Sequence, residues 1–447
     1  MSELSEIEIL AERNPDIPFE VIVKEDLLRR GMSWSPEALA VAAEYKRKAY
    51  FIFSFDMVPI SDMDQKENIR APEEVRLAGG SYNFRPVVVS VRLNPDSPYR
   101  VETEENSLVL KLAGDPIAGV ELQKTPEYYR HTLSNGRPVS EIAPTIEWGY
   151  LIYLTAFRIC QYPAAGEGCL YCDINENYRQ QKNAGRPYTP VKSLEEVMEA
   201  LDIIASIDGD GDGCSKAYTV TGGSVTGTLE GKSEIDFYVR YPEAIERRRP
   251  GRWISKVAMQ ALTKDDVKRI RDAGVQIYHP NFEIWDKRLF ETYCPGKARY
   301  VGRDEWIRRI LDAADVFGPE NVIPNFVAGV EMAPPAGFGS VDEAITSTAE
   351  GLEFFMSRGI SPRFTTWCPE PLSALGKKRS GAPLEYYIRL LRIYRDTRAK
   401  YKLPIPRGYG EPGLGRAVFS VSSFMDMIST SPPGIPSSTD RTYAVKL

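Results

Sequence analysis

The strongest constraint on the fold of this chain is an alternation of two patterns between residues 148 and 402. Six short runs rich in β-branched and aromatic residues alternate with six longer amphipathic stretches. This order is typical of βα units, whose strands lie parallel in one sheet. The predicted strands cover residues 150–160, 217–222, 253–260, 276–284, 322–331 and 363–369. The predicted helices cover residues 193–207, 234–248, 263–273, 303–317, 341–357 and 384–402.

Local signals support several of these helices. Ser193 and Glu196 have the spacing of a capping box, and Thr263 precedes two aspartates in a predicted first turn. Gly274 and Gly359 fall where helices should end. A complete (βα)8 barrel needs two more units. The sequence therefore predicts an α/β fold, either a partial (βα)6 TIM-like barrel or a curved open sheet.

The residues on either side of this segment predict different structure. Residues 1–147 predict a β-rich N-terminal region, with strands at 85–93, 99–103, 108–112 and 119–122 and a short helix at 35–45. Residues 403–447 are rich in Pro, Gly and Ser, which predicts an irregular C-terminal tail that wraps the surface. We therefore expect three parts, at 1–147, 148–402 and 403–447.

Charge and hydropathy argue against two classes of partner. The 447 residues include 56 Lys and Arg against 62 Asp and Glu, a formal net charge of −6, and the pI is about 5.4. This balance provides no basic surface for a phosphate backbone, so we expect no nucleic acid partner. The most apolar run, residues 148–157, has about half the length of a membrane-spanning helix, and the amino terminus is acidic. We expect a cytoplasmic protein with no membrane partner.

Three of the six cysteines are clustered in the sequence. Cys160, Cys169 and Cys172 follow the first predicted strand, at the carboxyl end where parallel sheets place their active sites. Three thiolates can hold a [4Fe–4S] cluster and leave one iron open to a small molecule, whereas a structural zinc takes four protein ligands. The sequence has no second Cys-x-x-Cys and only two histidines, which favours the open cluster. A zinc site and a set of buried thiols remain alternatives.

This segment resembles the cluster motif of the radical S-adenosylmethionine (SAM) superfamily. Members carry Cys-x3-Cys-x2-Cys in the loop after the first strand of a partial (βα)6 barrel, with an aromatic residue before the last Cys. Tyr171 stands in that position. The chain departs from the motif in having eight residues between Cys160 and Cys169, a lengthening seen in some subgroups. The resemblance implies that Cys160, Cys169 and Cys172 bind the cluster and that Tyr171 lies beside it.

The resemblance extends to later strands and covers about residues 148–375. Gly222-Gly223-Ser224 is similar to a Gly-Gly-Glu motif whose backbone holds the methionine amino group of SAM, with Ser224 in place of the Glu. Residues 270–332 look most like the biotin-synthase-like branch. The resemblance to that branch implies contacts with SAM or the substrate from Asn281, Glu283, Glu331 and the backbone near Gly329.

The fourth predicted strand gives independent evidence for a ligand. His279, Asn281 and Glu283 alternate with apolar residues, so they share one face of the strand. In a barrel covered by helices, that face lines the interior, where buried polar groups need partners. A ligand would supply those partners, and so would neighbouring side chains in a closed core. We take His279 as a candidate catalytic residue.

Other residues are candidates on weaker grounds. The possible binders of a carboxylate of SAM or substrate, each equally explained by a surface ion pair, are Lys256, Lys297, Arg299 and Arg363. Cys368 ends the last predicted strand and is a candidate catalytic residue, as a hydrogen-atom donor or covalent partner. Cys294 is a similar candidate, although free buried cysteines more often serve packing. Residues 208–213 resemble the start of a calcium loop, but Thr219 stands where a Glu is required, which favours a flexible turn.

The resemblance implies radical chemistry on a small-molecule substrate. In the family, a reduced [4Fe–4S] cluster cleaves SAM to methionine and a 5′-deoxyadenosyl radical, which abstracts hydrogen from an organic substrate. The outcome in a biosynthetic step is a rearrangement, a cleavage or a transfer. An electron donor such as flavodoxin or ferredoxin is implied as well. A zinc-dependent enzyme and a metal-stabilised scaffold that use the same cysteines are the alternatives.

Overall fold

The computed structural model describes residues 3–59, 70–105, 107–185, 188–209, 215–377 and 381–428. These residues form a mixed α/β fold with parallel strands, as the sequence predicts. No helix in these ranges is both long and apolar enough to span a bilayer.

A six-stranded sheet occupies the first part of the chain. Its strands are β1 Ser33–Trp34, β2 Glu74–Gly79, β3 Phe84–Ser90, β4 Tyr99–Glu104, β5 Ser107–Leu112 and β6 Asp115–Leu122. They lie in the order β1-β4-β5-β6-β2-β3, with every pair antiparallel except β1 and β4. The four strands predicted in this region correspond to β3, β4, β5 and β6, and β2 was not predicted.

Six parallel strands follow in chain order in the second part. They are β8 Leu151–Phe157, β9 Ala217–Gly222, β10 Ile254–Met259, β11 Ile277–Pro280, β12 Asn325–Ala328 and β13 Arg363–Thr366. Strands β8 to β11 are joined as neighbours, and β12 pairs with β13. Isolated parallel bridges, such as the one from Tyr278 to Val322, link β11 to the residues of the β12 strand segment. The short strand β7 Thr145–Ile146 adds an antiparallel edge to β8.

Helices connect these strands and precede the first sheet. They are α1 Glu3–Arg13, α2 Phe19–Arg30, α3 Pro36–Ala42, α4 Val139–Ile142, α5 Ile174–Asn183, α6 Leu194–Asp208, α7 Glu234–Arg248, α8 Lys264–Asp272, α9 Lys287–Tyr293, α10 Pro295–Tyr300, α11 Arg303–Phe317, α12 Val341–Met356 and α13 Leu384–Tyr401. The six helices predicted after residue 190 correspond to α6, α7, α8, α11, α12 and α13. The predicted capping box at the start of α6 forms, and the Thr263 side chain caps α8.

The helix α2 is the main departure from the expected β-rich start. Ten consecutive residues, 19–28, are buried, and the helix contacts β3, β13 and α13. A helix buried on all sides lacks the apolar stripe by which an amphipathic helix is recognised in a sequence. Its position between the sheets explains why charged residues along it have specific buried partners.

The C-terminal segment 403–428 is irregular, but most of residues 417–428 are buried and only the earlier part has many exposed residues. The segment forms no helix or strand, yet Tyr409, Phe419 and Phe424 are buried and pack edge to face. Lys24 Nζ on α2 donates to the Phe419 carbonyl at 2.7 Å and to Asp426 at 2.8 Å. The Pro and Gly content prevents regular elements, but the aromatic side chains close the base of the parallel strands. Residues 429–447 lie outside the described ranges.

Candidate active site

A cavity of about 250 Å³ lies among the parallel strands and opens beside the cysteine loop. Strands β8 to β13 all contribute to its wall, and residues 51–55 and 419–421 complete it. The wall residues that the sequence singled out are Cys160, Cys169, Tyr171, Cys172, Gly222, Gly223, Ser224, Lys256, His279, Asn281, Glu283, Lys297, Arg363 and Cys368. The structure therefore brings most of the predicted site residues to one cavity.

The cysteine loop is held from both sides. Asn175 at the start of α5 accepts a hydrogen bond from the Cys160 amide at 2.7 Å and donates to the Cys160 carbonyl at 3.0 Å. The Cys172 amide donates to the Cys169 carbonyl at 3.1 Å. These bonds position all three thiols in the wall of the cavity without using any sulfur atom.

The three thiols influence one another electrostatically. Burial and the neighbouring Cys169 thiolate raise the pKa of Cys160 to about 11, and the same two causes raise the pKa of Cys172. Three buried thiolates would therefore need a compensating cation, and the soft thiolate donors suit iron–sulfur clusters and zinc. Among the described residues, no three His, Cys, Asp or Glu side chains are arranged around a single metal ion. The soft donor chemistry of Cys160, Cys169 and Cys172 fits an iron–sulfur cluster, which these three residues would hold.

A fourth thiol lies next to this group. Cys294 is fully buried, and its Sγ donates to the Tyr171 hydroxyl at 3.7 Å. A hydrogen bond between Cys294 and Cys169 lowers the pKa of Cys169. The sequence separates Cys294 from the motif by more than 120 residues, so its position beside Cys169 could not be predicted from spacing.

The glycine pair after β9 lets the cysteine loop approach closely. A Cβ on Gly223 would lie 2.2 Å from the Ile159 carbonyl oxygen and 2.4 Å from the Cys160 Cα. A Cβ on Gly222 would lie 2.4 Å from the Phe157 carbonyl oxygen. Only glycine fits at both positions, because the neighbouring atoms belong to the backbone. The Ser224 carbonyl in turn accepts a hydrogen bond from the Gln161 amide at 2.9 Å.

The polar residues of the fourth predicted strand face the cavity, as their alternation indicates. The His279 Nδ1 donates to the Ile323 carbonyl at 2.9 Å, and its Nε2 has no partner although the side chain is buried. Burial, together with the charges of Arg363 and Lys256, holds the pKa of His279 well below its usual range, so the ring is neutral. The Asn281 Oδ1 is also buried without a partner. The two unpartnered atoms lie on residues that line the same cavity.

Glu283 and Lys297 form a buried ion pair in the wall near Cys169. The Lys297 Nζ donates to the Glu283 carboxylate and, at 2.9 Å, to the Asn281 carbonyl. Each residue is 8% exposed. Because Lys297 already neutralises the Glu283 carboxylate, this group is not an unpaired anion that requires a ligand. Arg299, by contrast, is exposed and pairs with Glu167, so it behaves as a surface ion pair.

Gly329 and Glu331 do not reach the cavity, which corrects the expectation for them. The Glu331 carboxylate accepts hydrogen bonds from Thr348 at 2.7 Å, from Tyr386 and from the Gly329 amide at 2.7 Å. These partners bind the end of β12 to α12 and α13. The strand β12 ends at Ala328, before the residues that the resemblance aligned, and a 3₁₀ turn carries Glu331 toward the helices.

Several residues in and behind the cavity wall have no signal in the sequence. The Ser54 hydroxyl donates to Asp173 at 2.7 Å, and the Phe55 amide donates to Glu370 at 2.8 Å. Burial raises the pKa of Asp173 to about 6 and also raises that of Glu370. This network ties the N-terminal segment to the residue after Cys172. Cys368 lies in the wall nearby, fully protonated because burial raises its pKa. Cys214 and residues 210–213 of the calcium-like run lie outside the described residues.

The chain matches no protein-family model and no curated protein. Among solved structures, it is similar to methylornithine synthase (PylB), with 13% identity and a TM-score of 0.38 over 57% of this chain and 65% of that one. It is also similar to HydG, a maturase of the [FeFe]-hydrogenase, with 14% identity and a TM-score of 0.40 over 59% of this chain and 56% of that one. The chain thus spans less than two thirds of either structure. Scores of this size carry no argument about activity.

Proposed function

We propose that this chain is a radical SAM enzyme in which Cys160, Cys169 and Cys172 hold a [4Fe–4S] cluster. The observation that carries the proposal is the meeting of three motif thiols and the unpartnered polar atoms of His279 and Asn281 in one cavity. The six parallel strands around that cavity support a partial (βα)6 barrel. In the same proposal, the described part of residues 1–147 covers the barrel and residues 403–428 close its base.

The bound cluster and SAM would together supply a 5′-deoxyadenosyl radical that abstracts hydrogen from a small organic substrate. The chain's own contribution is to orient SAM and to exclude water. The backbone of Gly222 and Gly223 offers the close approach that a SAM amino group needs. Tyr171 and Phe53 supply apolar walls, which favour the survival of a radical. Asn281 and Ser224 are the proposed polar contacts to SAM.

The neutral His279 is the proposed residue for substrate contact. Its Nδ1 proton is fixed on the Ile323 carbonyl, so its Nε2 lone pair points to the cavity as an acceptor. A hydroxyl or amine of the substrate can donate to it. The buried Glu283–Lys297 pair lies in the wall beside Asn281 and keeps this part of the cavity electrically balanced.

Metal analysis tests the proposal directly. Protein purified without oxygen should be brown and contain about four irons per chain. Cys169→Ala should lose the iron and the reductant-driven formation of 5′-deoxyadenosine, whereas Cys368→Ala should keep the iron because Cys368 belongs to no ligand set. One zinc and no iron in the wild-type protein would contradict the proposal and favour a zinc enzyme or a metal-stabilised scaffold.

A further inference from the structure

Two cations lie at the inner end of the cavity without a carboxylate partner. Lys256, on β10, is 1% exposed, and its Nζ donates to the Gly408 carbonyl and lies 4.4 Å from the centre of the Tyr409 ring. Arg363, the first residue of β13, donates to the Tyr409 hydroxyl at 3.4 Å, and its buried Nε has no partner. In the described part of the chain, neither cation forms an ion pair. Both cations share one carboxyl group, Glu147, in the same wall, and a buried excess of positive charge of this kind points to an absent anion.

The surroundings of these cations are arranged for a ligand. The unpartnered Nε2 of His279 lines the same cavity, where it can accept a hydrogen bond from a hydroxyl or amine of the same ligand, while the anionic group contacts the two cations. Burial lowers the pKa of Lys256 to about 8, an effect that a bound anion would reverse. Among the described residues, Glu147 is the acidic group whose charge acts on both cations, and burial raises its pKa to about 7. The group of Glu147, Lys256, Arg363 and neutral His279, called here the cavity floor, therefore sets two cationic side chains against one carboxyl group.

The cavity floor is separated from the cysteines by about the length of strand β10. Lys256 precedes Gln260 by four residues, which is about 13 Å along a strand. Gln260 marks the cysteine end, because its Oε1 accepts a hydrogen bond from Tyr162 of the cysteine loop at 3.3 Å. A group bound at the cysteine end cannot also occupy the floor. The floor is therefore available to the far end of a substrate that reacts beside the cysteines.

We propose that the cavity floor binds a carboxylate at the far end of the substrate, through Lys256 and Arg363. The inference rests on the proposed function and names its substrate class: a small carboxylic acid that enters with its anionic end first. A singly charged carboxylate matches the floor better than a phosphate dianion, because Glu147 repels additional negative charge. The planar guanidinium of Arg363 offers adjacent N–H donors to the two oxygens of a carboxylate.

The test uses three probes of equal length that differ in charge: butyrate, butyramide and butylamine. Each is titrated into the full chain, with iron if the isolated protein contains it, and binding is followed by ligand-observed NMR. Butyrate should bind at least about tenfold more tightly than the other two probes, as expected for hydrogen bonds to charged groups. Equal or tighter binding of butylamine or butyramide would overturn the proposal.

Variants identify the groups that bind the probe. Lys256→Met and Arg363→Gln should each weaken butyrate binding by about tenfold or more, and Lys256→Arg should restore most of it. Lys287→Met, which removes an exposed ion pair outside the cavity, is the matched control and should leave the affinity unchanged. Unchanged affinity in both Lys256→Met and Arg363→Gln would refute the assignment, and circular dichroism verifies that each variant is folded.

The two proposals fail in different ways. Butyrate binding requires neither the cluster nor SAM. Iron-free protein that binds butyrate would contradict the proposed function and leave the carboxylate site in place. Iron-containing protein that binds butylamine more tightly than butyrate would contradict the carboxylate site and leave the proposed function in place.

Discussion

The contact between Gly223 and the cysteine loop gives the sharpest prediction. In Gly223→Ala, the added Cβ would lie 2.2 Å from the Ile159 carbonyl oxygen, 2.4 Å from the Cys160 Cα and 2.5 Å from the Cys160 amide nitrogen. These are backbone atoms, so no rotamer change can relieve the overlap and one of the two segments must move. Overpacking of this kind costs up to about 3 kcal/mol of unfolding free energy. Because the Cys160 backbone has to shift, the iron content per chain should fall as well.

Gly227→Ala is the matched control for this experiment. Gly227 lies four residues further along the same loop, and a Cβ there would have no heavy atom within 4 Å. Its substitution should change the unfolding free energy by less than about 1 kcal/mol, since Ala mainly restricts the unfolded chain. Urea unfolding followed by circular dichroism, with metal analysis of the same samples, measures both effects. If Gly223→Ala and Gly227→Ala agree within about 0.5 kcal/mol and hold equal iron, the close approach does not control the site.

Three further predictions concern buried charges. Burial raises the pKa of the Glu234 carboxyl to about 8, so the stability it contributes is present below about pH 4.5 and is lost as the pH rises toward 8. In urea titrations, Glu234→Gln should therefore become more stable than the wild type across that pH range. A difference in stability that does not change with pH would contradict this. Lys297→Met leaves the Glu283 carboxylate buried and unpaired and should lower the unfolding free energy by about 3–5 kcal/mol in the same assay. Lys287→Met removes an exposed ion pair and should lower it by less than about 1 kcal/mol. Equal losses of unfolding free energy in the two variants would refute the argument. Lys24→Met removes the ammonium group that binds the Phe419 carbonyl and Asp426, so protease cleavage within residues 403–428 should become severalfold faster under native conditions. An unchanged cleavage rate would show that aromatic packing alone holds the segment in place.

The parallel part of the fold was largely predictable because its signals are local. Alternating periodicity located six strands and six helices, and the capping residues fixed helix starts such as Ser193 and Thr263. The fourth, fifth and sixth strands are shorter than predicted, at four residues each. The residues that follow each of these strands form loops whose apolar side chains are packed inside. Their composition therefore resembles that of a strand, although the hydrogen bonding of the strand has already ended.

The site was predictable wherever a side chain's direction follows from its place in a strand. His279 on β11 and Asn281 just after it line the cavity, in keeping with the alternation read from the sequence, and the cysteines follow β8 in a loop at its carboxyl end. The prediction for Glu331 was wrong because a turn after Gly329 directs its side chain toward Tyr386. Contacts between distant segments had no sequence signal at all. The contact of Cys294 with Tyr171 belongs to this class, since only the folded chain brings the two residues together.

The closure of the cavity floor by residues 403–428 has a consequence for assembly. The hydrogen bond between Lys24 and Asp426 joins residues that are 402 positions apart, so it is among the last contacts that a growing chain can make. During synthesis, the cysteine loop emerges more than 250 residues before Asp426, and the strands around it then have no base. A chain shortened before Gly408 would lack the carbonyl and the aromatic ring that contact Lys256 and Arg363. Insertion of the proposed cluster and closure of the cavity are therefore separable in time, and a C-terminal truncation series would distinguish them.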